Sequence, residues 1–306
     1  MIERELHAPD RPVTMSTALD PGLRASYGAC RRMQRRHDPT YYWATQRLPR
    51  DVRPAVHAVY GFVRSADELV DGPRRPPDPA QRRAALDHLE HQLEDGLHGR
   101  PPASPVVSAL VDAGERHDLP LGELRVYMRS MRVDCGRVRI GSRAELDRYM
   151  DGSAGAVGRI MAPLLGAPAP LHDTFARLGV AFQLTNFIRD VREDYDLDRV
   201  YLPRDARERH GVCEDEIARG EATPGFRSLL AVEVARARAL FADTAAAVAG
   251  CSPEVRPGMR MARGVYVGVL DRVEAIGFDV FGRRARLAPW EAAGAAVRAL
   301  RPRPEA

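Results

Sequence analysis

Along most of the chain the apolar residues recur every three or four positions, the spacing of one face of a helix. The clearest case runs from Asp51 to Asp71. Val56, Val59, Val63, Ala66 and Val70 form its apolar side, and His57, Tyr60, Arg64, Asp67 and Asp71 form a second stripe. The same periodicity predicts helices over Ala80–Leu97, Ala103–Arg116, Leu121–Val133, His172–Asp194, Phe226–Val248, Pro257–Ile276 and Trp290–Leu300. An earlier helix over Thr17–Arg36 is expected to be interrupted near Pro21-Gly22. Another is opened by a capping box of Ser142 and Glu145 and contains the small-residue run 151–158. Proline- and glycine-rich segments at 72–79 and 99–102 read as loops, residues 134–142 break the pattern, and 195–203 is irregular. No segment alternates as a strand does. The prediction is an all-α protein, with a loose N-terminal arm over residues 1–15 and one domain over 16–300.

Two of these helices carry more charge on one side than a solvated face explains. On the helix ending near residue 194, Gln183, Asn186, Asp190 and Asp194 fall on one stripe. Carboxylates one turn apart repel, at a cost of roughly 0.2–0.5 kcal/mol in an isolated helix, so an inward-facing pair needs a cation. Arg64, Asp67 and Asp71 repeat the device. If the two helices face each other, four carboxylates, an asparagine and two arginines (Arg64 and Arg189) converge on one cavity. That set suits hard divalent metals held between carboxylates and a diphosphate.

Composition narrows the picture. The 306 residues are 44% hydrophobic and 29% charged, enough apolar material for a sizeable core. All 46 basic residues are arginine, a compositional bias too general to assign a function. The four cysteines (Cys30, Cys135, Cys213 and Cys251) are dispersed and read as reduced thiols of a cytoplasmic protein. Nine histidines form no HExxH-like cluster, so zinc is not expected. The first residues lack the apolar run of a signal peptide, and no stretch reaches the ~20 apolar residues of a membrane span. Glycines at 152, 155 and 158 are spaced GxxGxxG without a preceding strand, which argues against a dinucleotide site and for close helix approach or room for a ligand. The sequence shows no basic stripe with interleaved aromatics, so nucleic acid is not an expected partner. Tyr41, Tyr42 and Trp43 cannot all face one way on a helix. They read as core and wall, with an aromatic lining that stabilises a cation as the functional alternative.

Five segments together resemble the squalene/phytoene synthase family, in the order in which the family carries them. Leu48-Pro49 precedes Arg53–Tyr60. The two aspartate-rich motifs are Arg64-x-x-Asp67-Glu68-x-x-Asp71 and Gln183-x-x-Asn186-x-x-Arg189-Asp190-x-x-Glu193-Asp194, the second followed by Arg199-Val-Tyr201-Leu-Pro203. Between them lies Tyr149–Gly158, and Phe278–Ala285 matches a C-terminal signature, so the resemblance spans roughly Tyr41 to Arg286. It implies an isoprenoid-synthase fold with both motifs on opposed helices of a central cavity. Carried over residue by residue, Asp67, Asp71, Asp190 and Asp194 are catalytic and hold Mg2+, which Mn2+ can replace, with Asn186 and Glu193 assisting. Arg64, Arg189 and Arg199 grip diphosphate, and Gln183, Tyr41 and Tyr201 complete the substrate site.

The implied reaction is head-to-head condensation of two prenyl diphosphates, geranylgeranyl diphosphate to phytoene through a cyclopropylcarbinyl diphosphate, with no nicotinamide cofactor. Squalene-type chemistry on farnesyl diphosphate, or cyclisation of a single prenyl diphosphate by a class I terpene cyclase, are the alternatives, and a non-catalytic binding relative is the rival from another class. Peripheral membrane contact is expected from the hydrophobicity of the substrates alone; oligomeric state is open. Four positions depart from the family pattern. Asp38-Pro39-Thr40-Tyr41 replaces a serine pair before the aromatic, Ile140 replaces an aromatic, Ser153 replaces a valine and Asp198 replaces the glycine before Arg199. The ionising residues are intact, while substrate length and product are left to the altered walls.

Overall fold

A computed structural model of the chain describes residues 20–281, 285, 287 and 289–300. The expected arm over residues 1–15 and the cluster Arg283, Arg284 and Arg286 lie outside the described residues, and so does the side chain of Trp290. The first half comprises α1 (Pro21–His37), α2 (Pro39–Thr45), α3 (Arg53–Val70), α4 (Pro79–Leu97), α5 (Pro105–His117), α6 (Glu123–Val133), α7 (Arg143–Met150) and α8 (Ala156–Leu164). The second comprises α9 (His172–Arg189), α10 (Val191–Asp196), α11 (Arg204–Arg209), α12 (Glu214–Arg219), α13 (Pro224–Asp243), α14 (Ala245–Gly250), α15 (Arg256–Ala275) and α16 (Pro289–Leu300). The all-α expectation holds. No helix among the described residues is long and apolar enough to cross a membrane.

Much of the proline content marks helix starts. Proline sits in the first two positions of α1, α3, α4, α5, α13 and α15, where its missing N–H has no intrahelical partner to lose. Pro21 therefore opens α1 where an interruption was expected, and the Asp20 carboxylate caps it by accepting from the N–H groups of Gly22 and Leu23. The passage from α1 to α2 is likewise a junction. The Asp38 side chain accepts from Tyr41 N at 2.8 Å and starts the short helix α2. Its three aromatics do point three ways: Tyr41 is half-buried, Tyr42 buried and Trp43 exposed.

Three further departures shape the interior. The helix expected to run unbroken from 172 to 194 bends at Asp190, whose φ/ψ of −104°/23° leaves the helical region between α9 and α10. The helix expected over 226–248 divides at Thr244. Where no strand was expected, Val138–Arg139 (β1) and Arg199–Val200 (β2) form a parallel ladder two residues long, with Val138 opposite Arg199 and Arg139 opposite Val200. Asp198 turns into this ladder with φ 61°, a left-handed conformation that aspartate tolerates better than most residues.

The small-residue run lies in a π-helical turn, Asp151–Gly155, between α7 and α8. A Cβ on Gly158 would lie 2.4 Å from the carbonyl oxygen of Phe175, and one on Gly179 would lie 2.5 Å from that of Ala154. The glycines thus let the backbones of α8, α9 and the π turn meet, as one sequence reading required. Ser142 accepts from Glu145 N, whereas the Glu145 carboxylate caps Gly141 N at 2.7 Å, one residue before the expected partner.

Candidate active site

α3 and α9 present their polar stripes to one cavity of about 340 Å³. α3 supplies Arg64, Asp67 and Asp71, while α9 supplies Gln183, Asn186 and Arg189. Asp190 enters from the bend, Asp194 from α10, and Arg199 and Tyr201 from β2 and the residue after it. Two expected residues are not brought into that lining. Glu193 is exposed, and Tyr41 packs against Tyr60 at 6.2 Å between ring centroids. That aromatic pair is near Tyr266 of α15, whose hydroxyl is hydrogen-bonded to the Asn186 side chain.

The two aspartate pairs share one electrostatic pattern. In each, one carboxylate is neutralised by an arginine: Arg199 Nη2 lies 2.5 Å from Asp71 Oδ1, and Arg189 contacts both Asp190 oxygens at 2.7 and 2.5 Å. Burial, together with the charge of Asp71, pushes the Asp67 carboxyl up to about 7. Burial and then the charge of Asp190 push Asp194 well above the carboxylate range. The Tyr127 hydroxyl lies 3.0 Å from Asp67 Oδ1 and supports its ionised form against that trend. The buried Asn186 Oδ1 has no hydrogen-bond partner. An orphaned amide oxygen beside carboxyls pushed toward protonation by burial and then by each other's charge forms a donor set for a hard cation. Among the described residues no three acidic, histidine or cysteine side chains converge on one point, so the chain alone does not complete a coordination shell.

Other residues of the same lining carry no periodic signature in the sequence. Asp134 is buried, accepts from the Tyr149 hydroxyl and accepts from Tyr201 at 2.7 Å. Its backbone carbonyl accepts from Arg199 Nη2 at 2.7 Å, and Val70 O lies 3.3 Å from the same nitrogen. Burial pushes Asp134 up to about 6, opposed by Arg199 and the two hydroxyls. The β1–β2 ladder is what draws the segment after α6 alongside Arg199 and Tyr201. The Tyr201 ring stacks on Phe187 with centroids 4.0 Å apart, closing the apolar side of the cavity. Ser153, at the π turn, contributes a buried hydroxyl without a partner where the family pattern has valine. Tyr127 and Asp134 were not singled out by sequence. Tyr149 lay inside a recognised block, though without an assigned role.

Arginines poised at paired carboxylates in a half-open cavity with aromatics on one side can bind a diphosphate and face a cation. Comparison with known proteins agrees with that chemistry. The profile described as squalene/phytoene synthase matches residues 34–291. A phytoene synthase of Thermus thermophilus is 38% identical over 280 residues, 91% of this chain and 92% of that protein. A 15-cis-phytoene synthase of Synechocystis is 34% identical, over 85% of this chain and 80% of that one. Among solved structures, a dehydrosqualene synthase in complex with ligand superposes with a TM-score of 0.83 at 26% identity, covering 90% of this chain and 96% of that chain. A squalene synthase from Alicyclobacillus acidocaldarius gives 0.77 at 28%, covering 85% and 97%. The chain belongs to the squalene/phytoene synthase family of prenyltransferases.

Proposed function

We propose that this protein condenses two molecules of geranylgeranyl diphosphate head to head into phytoene. The observation that carries the reading is the pair of facing aspartate motifs, each with an arginine already in contact, around one cavity. Relatives named phytoene synthase at 38% and 34% identity support the product. A divalent metal, Mg2+ with Mn2+ as substitute, fits the donor set of Asp67, Asp71, Asn186, Asp190 and Asp194. When bound, it neutralises the leaving diphosphate.

This chain's own residues perform the remaining tasks. Arg189 and Arg199, with Arg64 of α3, offer charge-assisted bonds to diphosphate oxygens, favouring cleavage of the allylic C–O bond. Tyr201, Phe187 and Tyr149 present π faces and exclude water from the cation. The double bond of the second substrate closes on that cation, and one proton leaves to give the cyclopropylcarbinyl diphosphate. A second ionisation releases the other diphosphate, and rearrangement with loss of a second proton gives phytoene. Neither half requires a reductant.

Incubating the purified protein with geranylgeranyl diphosphate and Mg2+ is expected to yield phytoene and two equivalents of diphosphate. Asp67→Ala and Asp190→Ala should each lower kcat by at least about a hundredfold. Cyclic monomeric hydrocarbons as the sole products, or unchanged activity in both variants, would overturn the proposal.

A further inference from the structure

The outer face of α1 is a row of arginines. Arg24, Arg31, Arg32, Arg35 and Arg36 are all exposed and fall within less than half of the helix circumference. Neither α1 nor α2 contains an acidic residue, and Arg47 and Arg50 extend the exposed basic surface past α2. Arg31, Arg32, Arg35, Arg36, Arg47 and Arg50 make no ion pair among the described residues. Other arginines are tied to carboxylates, as Arg125 is to Glu94 and Arg132 to Asp87 and Glu90, and among the described residues those without an ion pair, such as Arg129 and Arg177, have no exposed tryptophan beside them.

Trp43 stands out of the same corner with 65% of its surface exposed, more than any other large hydrophobic side chain among the described residues. It is fixed there from below. Arg31 donates to the Tyr42 hydroxyl at 3.1 Å, and the Tyr42 ring meets Trp43 edge-on at 5.8 Å. The row also ends near the cavity. His37, the last residue of α1, lies 3.6 Å from Glu68, which is bonded to the cavity-lining Arg64.

We propose that this α1–α2 corner seats the protein on an anionic lipid surface, with the arginines against headgroups and Trp43 at the headgroup level. A rigidly mounted aromatic among uncompensated arginines matches the amphipathic interface of a bilayer. Nucleic acid would also attract the charge, but a single aromatic offers no run of stacking faces. The inference rests on the proposed function for its purpose: a prenyl diphosphate is itself an anionic amphiphile that partitions into such a surface, and the row leads from there toward Arg64.

Sedimentation with vesicles tests the surface without using activity. Vesicles of phosphatidylcholine containing about one-third phosphatidylglycerol should bind the full chain, and vesicles of phosphatidylcholine alone should bind it far more weakly. At about fivefold per arginine, Arg32→Gln/Arg35→Gln/Arg36→Gln should lower the partition coefficient roughly a hundredfold. Trp43→Phe should remove the blue-shifted emission that appears with anionic vesicles. Turnover of detergent-dispersed substrate should not change in either variant. Equal binding to both vesicle types, undiminished binding of the triple variant, or preferential binding of a single-stranded oligonucleotide through these arginines would overturn the proposal. Vesicle binding through these residues by a parent chain that makes no phytoene would instead count against the proposed reaction alone.

Discussion

Two half-buried carboxyls, Asp67 and Asp194, lack an arginine at bonding distance among the described residues, while Asp71 and Asp190 have one each. The difference follows from position. Asp71 sits at the exposed rim beside Arg199, whereas Asp67 is one turn deeper, against Tyr127. A second residue-scale device lies outside the cavity. His57 is buried, its Nδ1 faces Gln34 Oε1, and Gln34 Nε2 donates to Thr45 Oγ1 at 3.1 Å, which joins α1, α2 and α3. Burial, helped by Arg31 and Arg53, lowers the His57 pKa to about 4. A depressed pKa means the unfolded chain takes up the proton first. The contribution to stability is therefore complete above about pH 6.5 and is lost as pH falls toward 4, on the order of 3 kcal/mol in all. Urea midpoints measured from pH 7 to pH 4 should fall through that window. His57→Gln should show a flatter profile there.

At the scale of elements, close approach of α8, α9 and the π turn depends on glycine. The Cβ added by Gly179→Ala would meet a main-chain oxygen, which cannot swing aside as a side chain does. Gly179→Ala and Gly158→Ala should each cost about 1–3 kcal/mol, read as a lower urea midpoint. Gly122→Ala, with nothing within 4 Å of the added carbon, should behave like the parent. The elements that the sequence revealed are those whose evidence is periodic: α3 and α9 are long, and Arg64, Asp67, Gln183 and Asn186 reach the cavity from them as the spacing required. The bend at Asp190 was hidden because the i, i+4 spacing from Asn186 continues through it, and so do the backbone hydrogen bonds of Asp190 and Asp194 at 2.8 Å. The β1–β2 ladder was hidden for a different reason. Two residues are too few for alternation, and each strand finds its partner only after the intervening helices fold. Asp134 depends on that pairing for its place in the site, so nothing local in Asp134-Cys-Gly announces it.

Across the whole molecule, α3, α9, α10 and the short ladder all deliver charge to one cavity. Arg64, Arg189 and Arg199, the groups suited to a diphosphate, are engaged with Glu68, Asp190 and Asp71. The protein thus carries its own counter-ions. A diphosphate arriving alone would draw arginine away from carboxylates and leave those charges exposed to each other. A cation arriving alone would reach Asp67 and Asp194 but would have to displace arginine from Asp71 and Asp190. Arriving together, they exchange partners without leaving any charge unmatched. The proposed reaction therefore predicts that binding of the two is coupled, and linkage makes the coupling reciprocal. Calorimetry with Mg2+ and a non-ionising thiodiphosphate analogue should show each raising the affinity of the other by the same factor, about tenfold or more; independent binding would contradict this. On the proposed reaction, Asp71 and Asp190 stay screened by their arginines until both ligands are present, so scarcity of either holds the cavity in its internally paired state, and the supply of free divalent cation sets the apparent affinity for substrate.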